Sequence, residues 1–203
     1  MTPLCELALK YNTDKCPQFK GNNCFPLPGH DYTTFYHNLF QGKSIKKVLE
    51  VGIYEGASLR MWAEYWPEAE IWGADCELGR LLNVGRIHSV LCDQGDRGSL
   101  IKLAGEVGGN FDLIIDDASH NPDHQILTAS ILVPLLAPGG IYIIEDIPPQ
   151  NKDKVDAGVP WPHRIVEFDL NRKPDDRLLV IEQPLGCYRE TKGAFRRWFK
   201  WYV

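Results

Sequence analysis

The sequence predicts an α/β domain: a mostly parallel sheet of seven strands, ending in an antiparallel hairpin, with helices on both faces. Three observations predict it. From Lys46 onward, short apolar runs alternate with helix-length segments, the pattern of βαβ units with right-handed crossovers. Several of those runs stop in carboxylates, as in Phe111-Asp112-Leu113-Ile114-Ile115-Asp116-Asp117 and Ile141-Tyr142-Ile143-Ile144-Glu145-Asp146. The last two runs are separated only by a short charged stretch containing Pro174, which suits a hairpin and not another crossover.

The elements follow in order. Residues 6–11 read as a helix, and 12–31, rich in Asn, Gly, Pro and Lys, as a long loop. A loop of that length inside a compact domain is usually functional or disordered. Residues 33–40 resume a helical pattern, so 1–42 is expected to form an N-terminal helix and lid segment, with 43–203 as the main domain. Strands are predicted at 48–51, 71–75, 87–92, 111–116 and 141–145, and helices at 58–66, 97–107 and 124–136. Pro138-Gly139-Gly140 reads as a turn before the fifth strand. Runs at 164–170 and 177–183 form the hairpin. The tail Phe195 to Val203 is aromatic and basic, and is expected to pack its rings on the core; a docking surface for another domain is the lesser reading.

Bulk properties narrow the function. The chain has 203 residues, enough for one full core. Its net charge of -5 argues against a nucleic-acid partner, which calls for a basic face. No apolar run reaches the roughly 20 residues needed to span a bilayer. The first residues lack a signal-peptide pattern. The six cysteines form no Cys-x-x-Cys pair, and Cys76 and Cys92 are expected as buried free thiols at strand ends. A reducing, cytoplasmic setting is the expectation.

In an open parallel sheet the carboxyl ends of the strands line the ligand crevice. The first such end is Glu50-Val51-Gly52-Ile53-Tyr54-Glu55-Gly56-Ala57-Ser58. Its glycines let a ligand approach the backbone. A dinucleotide fingerprint needs a second glycine where Tyr54 stands, so the loop suits a nucleoside without phosphates. Asp75 can accept ribose hydroxyls, and Asp93 and Gln94 can meet an adenine edge. Asp75 can equally be a helix cap, and Asp93 a turn residue. At the chemical end, Asp117, Glu145 and Asp146 should face one site, with His120 one helical turn beyond Asp117. Hard oxygen donors without a thiol nearby suit Mg²⁺ or Mn²⁺. Asp116 and Asp117 capping the next helix, ordinary strand-end residues at 145–146, and His120 as a loop residue or fourth ligand are the structural alternatives. Asp123 and His124 read as N-terminal helix residues, with His124 a spare candidate.

Glu50-x-Gly52-x-x-x-Gly56, Asp75, Asp93 and the 111–116 strand together resemble the class I S-adenosylmethionine-dependent methyltransferases over roughly residues 45–185. That resemblance implies a Rossmann-like sheet. It also implies a cofactor site of Glu50, Gly52, Tyr54, Gly56, Ser58, Asp75, Asp93, Gln94 and Asp116. Within that family, Asp117-Ala118-Ser119-His120 with Glu145-Asp146, and Tyr11-Asn12-Thr13-Asp14-Lys15 followed by His30-Asp31-Tyr32, are similar to the metal-dependent macrolide sugar O-methyltransferases. The resemblance implies Asp117, Glu145 and Asp146 as metal ligands, His120 as general base, and a hydroxyl of a sugar, glycan or small molecule as acceptor. Lys15, His30, Asp31 and Tyr32 are expected in a lid, and Trp161, Pro162 and His163 beside the acceptor. Two other readings stand: a catechol-type O-methyltransferase, which places a lysine where this chain has His120, and a non-catalytic cofactor-binding module of a larger glycan-modifying protein. The chain is expected as a domain of a larger protein or as a homo-oligomer.

Overall fold

The computed structural model describes residues 1–21 and 28–185. The tail from Phe195, Cys24 and Cys187 lie outside them. Seven strands form one sheet in the order β3-β2-β1-β4-β5-β7-β6. They are β1 (Lys47–Val51), β2 (Glu70–Asp75), β3 (Ile87–Leu91), β4 (Phe111–Asp116), β5 (Leu136–Ile144), β6 (Arg164–Glu167) and β7 (Arg177–Glu182). The first five pair in parallel, and β7 runs antiparallel to both β5 and β6. The predicted fold class therefore holds. The order reverses between β1 and β4, where Val51 pairs with Asp116, and a crevice opens at such a switch point.

Strand side chains alternate between two cores. Leu49, Val51, Ile114, Tyr142 and Ile144 pack against α4 (Arg97–Val107), α5 (Pro122–Leu132) and α6 (Lys152–Gly158). Val48, Ile71, Leu113, Ile115 and Ile143 pack on the other face against α1 (Pro3–Tyr11), α2 (Tyr32–Phe40) and α3 (Ala57–Tyr65). Residues on both sides of the boundary expected at residue 42 share this second core. Leu4, Ala8, Tyr36 and Phe40 are buried in the same core as Val48, Ile71 and Leu113 of the sheet.

Three local expectations change. The turn predicted at 138–140 is part of β5, which begins at Leu136. The register of β4 against β5 shifts between Phe111 and Leu113, and this irregularity absorbs the Pro-Gly-Gly sequence. Residues 117–121 are not helical: Asn121 is the cap of α5, accepting from Asp123 N–H, with Pro122 following. Cys76 is exposed just beyond β2, whereas Cys92 is buried.

Candidate active site

The ends of β1, β2 and β4 and the loop after β3 surround a cavity of about 340 Å³. The glycine loop makes its floor. Gly52 has φ +106°, and a Cβ there would lie 2.0 Å from the Asp117 carbonyl oxygen, so only glycine lets the β1 and β4 ends meet. Gly56 caps α3 in the left-handed region. Tyr54 and Ser58 line the cavity; Gly56 does not. Four of the five described non-glycine residues with positive φ line it as well: Asn12, Tyr54, His120 and Asp146. Such conformations cost about 1–3 kcal/mol each and cluster where function holds them in place.

The expected cofactor residues divide into two groups. Asp75 and Asp93 line the cavity. Asp75 Oδ2 accepts from Ile53 N–H at 2.9 Å and Tyr54 N–H at 3.1 Å, and Oδ1 from Glu77 N–H at 2.9 Å. It therefore shapes the loop through its carboxylate. Asp93 is exposed, and its Oδ1 accepts from Gly95 N–H at 2.8 Å, the turn geometry foreseen as its alternative. Gln94 reaches the cavity but spends its amide internally: Nε2 donates to Asp116, and Oε1 accepts from Ser119 N–H at 3.1 Å and from Ser119 Oγ at 2.7 Å. Glu50 and Asp116 are fully buried behind the wall. Trp62 Nε1 donates to Glu50 at 2.5 Å. Burial pushes Asp116 up to about 7, and Gln94 and Tyr142 donate to it. Each of these two carboxylates accepts from a buried donor.

At the chemical end, ligand atoms of Asp117, His120 and Asp146 lie within 4.8 Å of one another. Donors at 2.0–2.6 Å from one hard cation span about that distance, so the set fits Mg²⁺ or Mn²⁺. Among the described residues His120 Nδ1 is buried without a hydrogen-bond partner, and Nε2 lies 3.9 Å from Asp146 Oδ2. Glu145 stands apart. Its Oε1 accepts from Tyr36 OH at 2.7 Å and its Oε2 from Lys15 Nζ at 2.5 Å.

Three residues of the expected lid form a buried rear wall, while Asn12, Thr13 and Asp14 of the same segment line the cavity. Lys15, His30 and Tyr32 are no more than 1% exposed. Lys15 Nζ also donates to Asp117 Oδ2 and lies 3.4 Å from Glu50 Oε1. Burial opposes its charge, but the surrounding carboxylates hold its pKa well above the usual lysine value. Tyr32 OH donates to Asp146 Oδ1 at 2.7 Å, and His30 Nε2 lies 3.2 Å from the same oxygen. His30 Nδ1 meets the buried Asp176 at 3.2 Å. Burial disfavours the His30 cation and Lys173 opposes it, yet Asp146 and Asp176 outweigh both and push it up to about 10. Asp146 is desolvated too, but His30 and then His120 hold it far below the usual carboxylate range.

These N-terminal contacts escaped the sequence reading. The available signal was the Tyr32, Tyr36 spacing, which puts both hydroxyls on one helix face. Trp161 and His163 do not line the cavity; His163 Nδ1 meets the Trp161 carbonyl and Nε2 meets Asp156. His124 does line it, with Nδ1 2.9 Å from Ser119 Oγ.

A seven-stranded sheet with this order, a glycine loop at its switch point and acidic strand ends define the class I S-adenosylmethionine-dependent methyltransferase fold. No family model matches the chain. It is 34% identical over 154 residues to the 8-demethyl-8-alpha-L-rhamnosyl tetracenomycin-C 2'-O-methyltransferase of Streptomyces olivaceus, covering 71% of this chain and 37% of that protein. It is 40% identical over 108 residues to the demethylmacrocin O-methyltransferase of Streptomyces fradiae, covering 50% of this chain and 27% of that protein. The MycE methyltransferase from the mycinamycin biosynthetic pathway, solved with Mg and SAH, superposes with a TM-score of 0.63 at 26% identity, covering 90% of this chain and 55% of that one. The chain is thus a relative of sugar O-methyltransferases, and it spans roughly a third of the length of these two curated relatives. Among the described residues no helix is long and apolar enough to cross a membrane.

Proposed function

We propose that the chain is the catalytic domain of a metal-dependent O-methyltransferase that moves a methyl group from S-adenosylmethionine to a hydroxyl of a sugar. The observation that carries this reading is the Asp117, His120 and Asp146 cluster beside a phosphate-excluding glycine loop, in a relative of sugar O-methyltransferases. The methyl donor supplies a sulfonium-activated methyl group. A divalent cation supplies Lewis acidity that lowers the pKa of an acceptor hydroxyl.

The chain's own residues supply the rest. Gly52 and the loop shaped by Asp75 admit the nucleoside, and Tyr54 disfavours a pyrophosphate. Asp117 and Asp146 would hold the cation, and Glu145, reached by Lys15, would be the third carboxylate beside them. His120 accepts the acceptor's proton at one of its ring nitrogens, as a positioned general base does. Its left-handed backbone, φ 52°, fixes the ring beside Asp146. Catalysis then rests on positioning and electrostatics.

The test is turnover on a panel of sugar acceptors. A chelator should abolish methyl transfer, and Mg²⁺ or Mn²⁺ should restore it. Full turnover in chelator removes the metal from the reading, and methylation of catechols alone replaces the sugar acceptor.

A further inference from the structure

Lys15 is the feature that the chemistry above leaves unused. Its ammonium is fully buried, 102 residues from Asp117 and 130 from Glu145 in sequence. It touches both of those carboxylates and approaches a third, Glu50. Buried carboxylates without a counter-charge are strongly unfavourable, so the acidic strand ends need a cation whether or not a metal is bound. Asp117 belongs at once to the Lys15 ion pair and to the cluster with His120 and Asp146. Both oxygens of Glu145 are occupied, one by Lys15 and one by Tyr36.

We propose that Lys15 is a positioning residue that serves as the site's built-in counter-cation, and that it competes with the divalent ion for Asp117 and Glu145. The proposal rests on the metal reading above. Its physical content is an exchange of charge. With no divalent ion, Lys15 neutralises the strand ends and pins the segment after α1 beneath them. When the ion binds, it shares carboxylates that Lys15 already holds, and Lys15 weakens that binding by repulsion across a desolvated site.

Calorimetric titration of the full chain with Mn²⁺, together with melting temperatures with and without Mn²⁺, tests it. Lys15→Met should lower the metal-free melting temperature, bind Mn²⁺ about tenfold or more tighter, and show a larger Mn²⁺-induced rise in melting temperature than the unaltered protein. Lys15→Arg, which keeps the charge, should bind Mn²⁺ within about threefold of the unaltered protein. A Lys15→Met variant that folds only with Mn²⁺ present supports the exchange directly. One that matches the unaltered protein in affinity and in Mn²⁺-induced shift, or binds more weakly, overturns it. If Lys15→Met folds under neither condition, the pair Lys15→Met with Glu145→Gln removes the ammonium together with one of the two carboxylates it pairs with; a folded metal-free protein then supports the proposal and an unfolded one overturns it. Failure of the unaltered protein to bind Mn²⁺ is a separate result, and it overturns the metal reading together with this inference.

Discussion

The Asp146 carboxylate meets three side chains of the site, Tyr32, His30 and His120. Tyr32 and His30 both meet its Oδ1, which leaves Oδ2 turned towards His120. The structure therefore orients a carboxylate by spending one oxygen on the rear wall and presenting the other to the cavity. His120 offers two roles, base and ligand, and substitution separates them. His120→Ala should lower turnover by about 10²-fold or more while leaving Mn²⁺ affinity within a few-fold, if His120 moves the proton. A matching collapse of Mn²⁺ binding in calorimetry would make it a ligand instead. His30 and Asp116 make stability depend on pH. The folded pKa of His30, about 10, lies above its unfolded value near 6.5. Its contribution is therefore complete below about pH 6.5 and is lost as pH rises through 10. Asp116, raised to about 7, loses its contribution in the window from about pH 4 to 7 in the same direction. Melting temperatures across pH should fall in both windows. His30→Gln should flatten only the alkaline one, and an unchanged alkaline slope would refute the charge assignment. At this scale the sequence named acids that line the cavity, Asp75, Asp93, Asp117 and Asp146, but did not reveal the buried internal partners of Glu50, Gln94 and Asp116. A one-dimensional reading cannot tell which buried donor, such as Trp62 Nε1, claims a carboxylate first.

The decisive element is the loop joining β1 to α3. Gly52 passes so close to the Asp117 carbonyl that the cofactor floor and the chemical end are one construction. Gly52→Ala must either shift the β4 end or distort the loop, since its Cβ would fall 2.0 Å from that oxygen in a left-handed conformation. The expected outcome is a loss of S-adenosylhomocysteine affinity of about tenfold or more, together with weaker Mn²⁺ binding; calorimetry that finds both intact would show the two ends to be independent. Elements were legible where local chemistry sets them. The α4 helix was read at its full bounds because Asp96 caps it and Gly108 ends it. The start of β5 was not, because Pro138-Gly139-Gly140 has the composition of a turn, and only pairing with β4 draws it into the sheet. The α6 helix, seven residues without a side-chain cap, left no signal to read.

At the scale of the molecule, described residues of the N-terminal segment share a core with the sheet. Their helices α1 and α2 bury Leu4, Ala8, Tyr36 and Phe40 against the sheet, and Lys15 and Tyr36 reach the strand-end carboxylates. A chain beginning at residue 43 would expose that apolar face and leave Glu145 without its partners. It should lose cooperative thermal unfolding and bind neither Mn²⁺ nor S-adenosylhomocysteine. A truncated chain with a sharp melting transition would restore the picture of a detachable lid.

The acidic strand ends, the glycine loop and the alternation of strand and helix follow from the sequence itself, since they depend on periodicity and on residues close together in the chain. The hairpin β6-β7 was equally legible, from two apolar runs and a short polar connection. What only the tertiary structure decided is which charges meet. Lys15 with Glu145, His30 with Asp176 and Tyr32 with Asp146 are pairs more than a hundred residues apart. Their partnership is set by burial: in a desolvated interior each charge must find a partner, and the fold determines which one lies within reach.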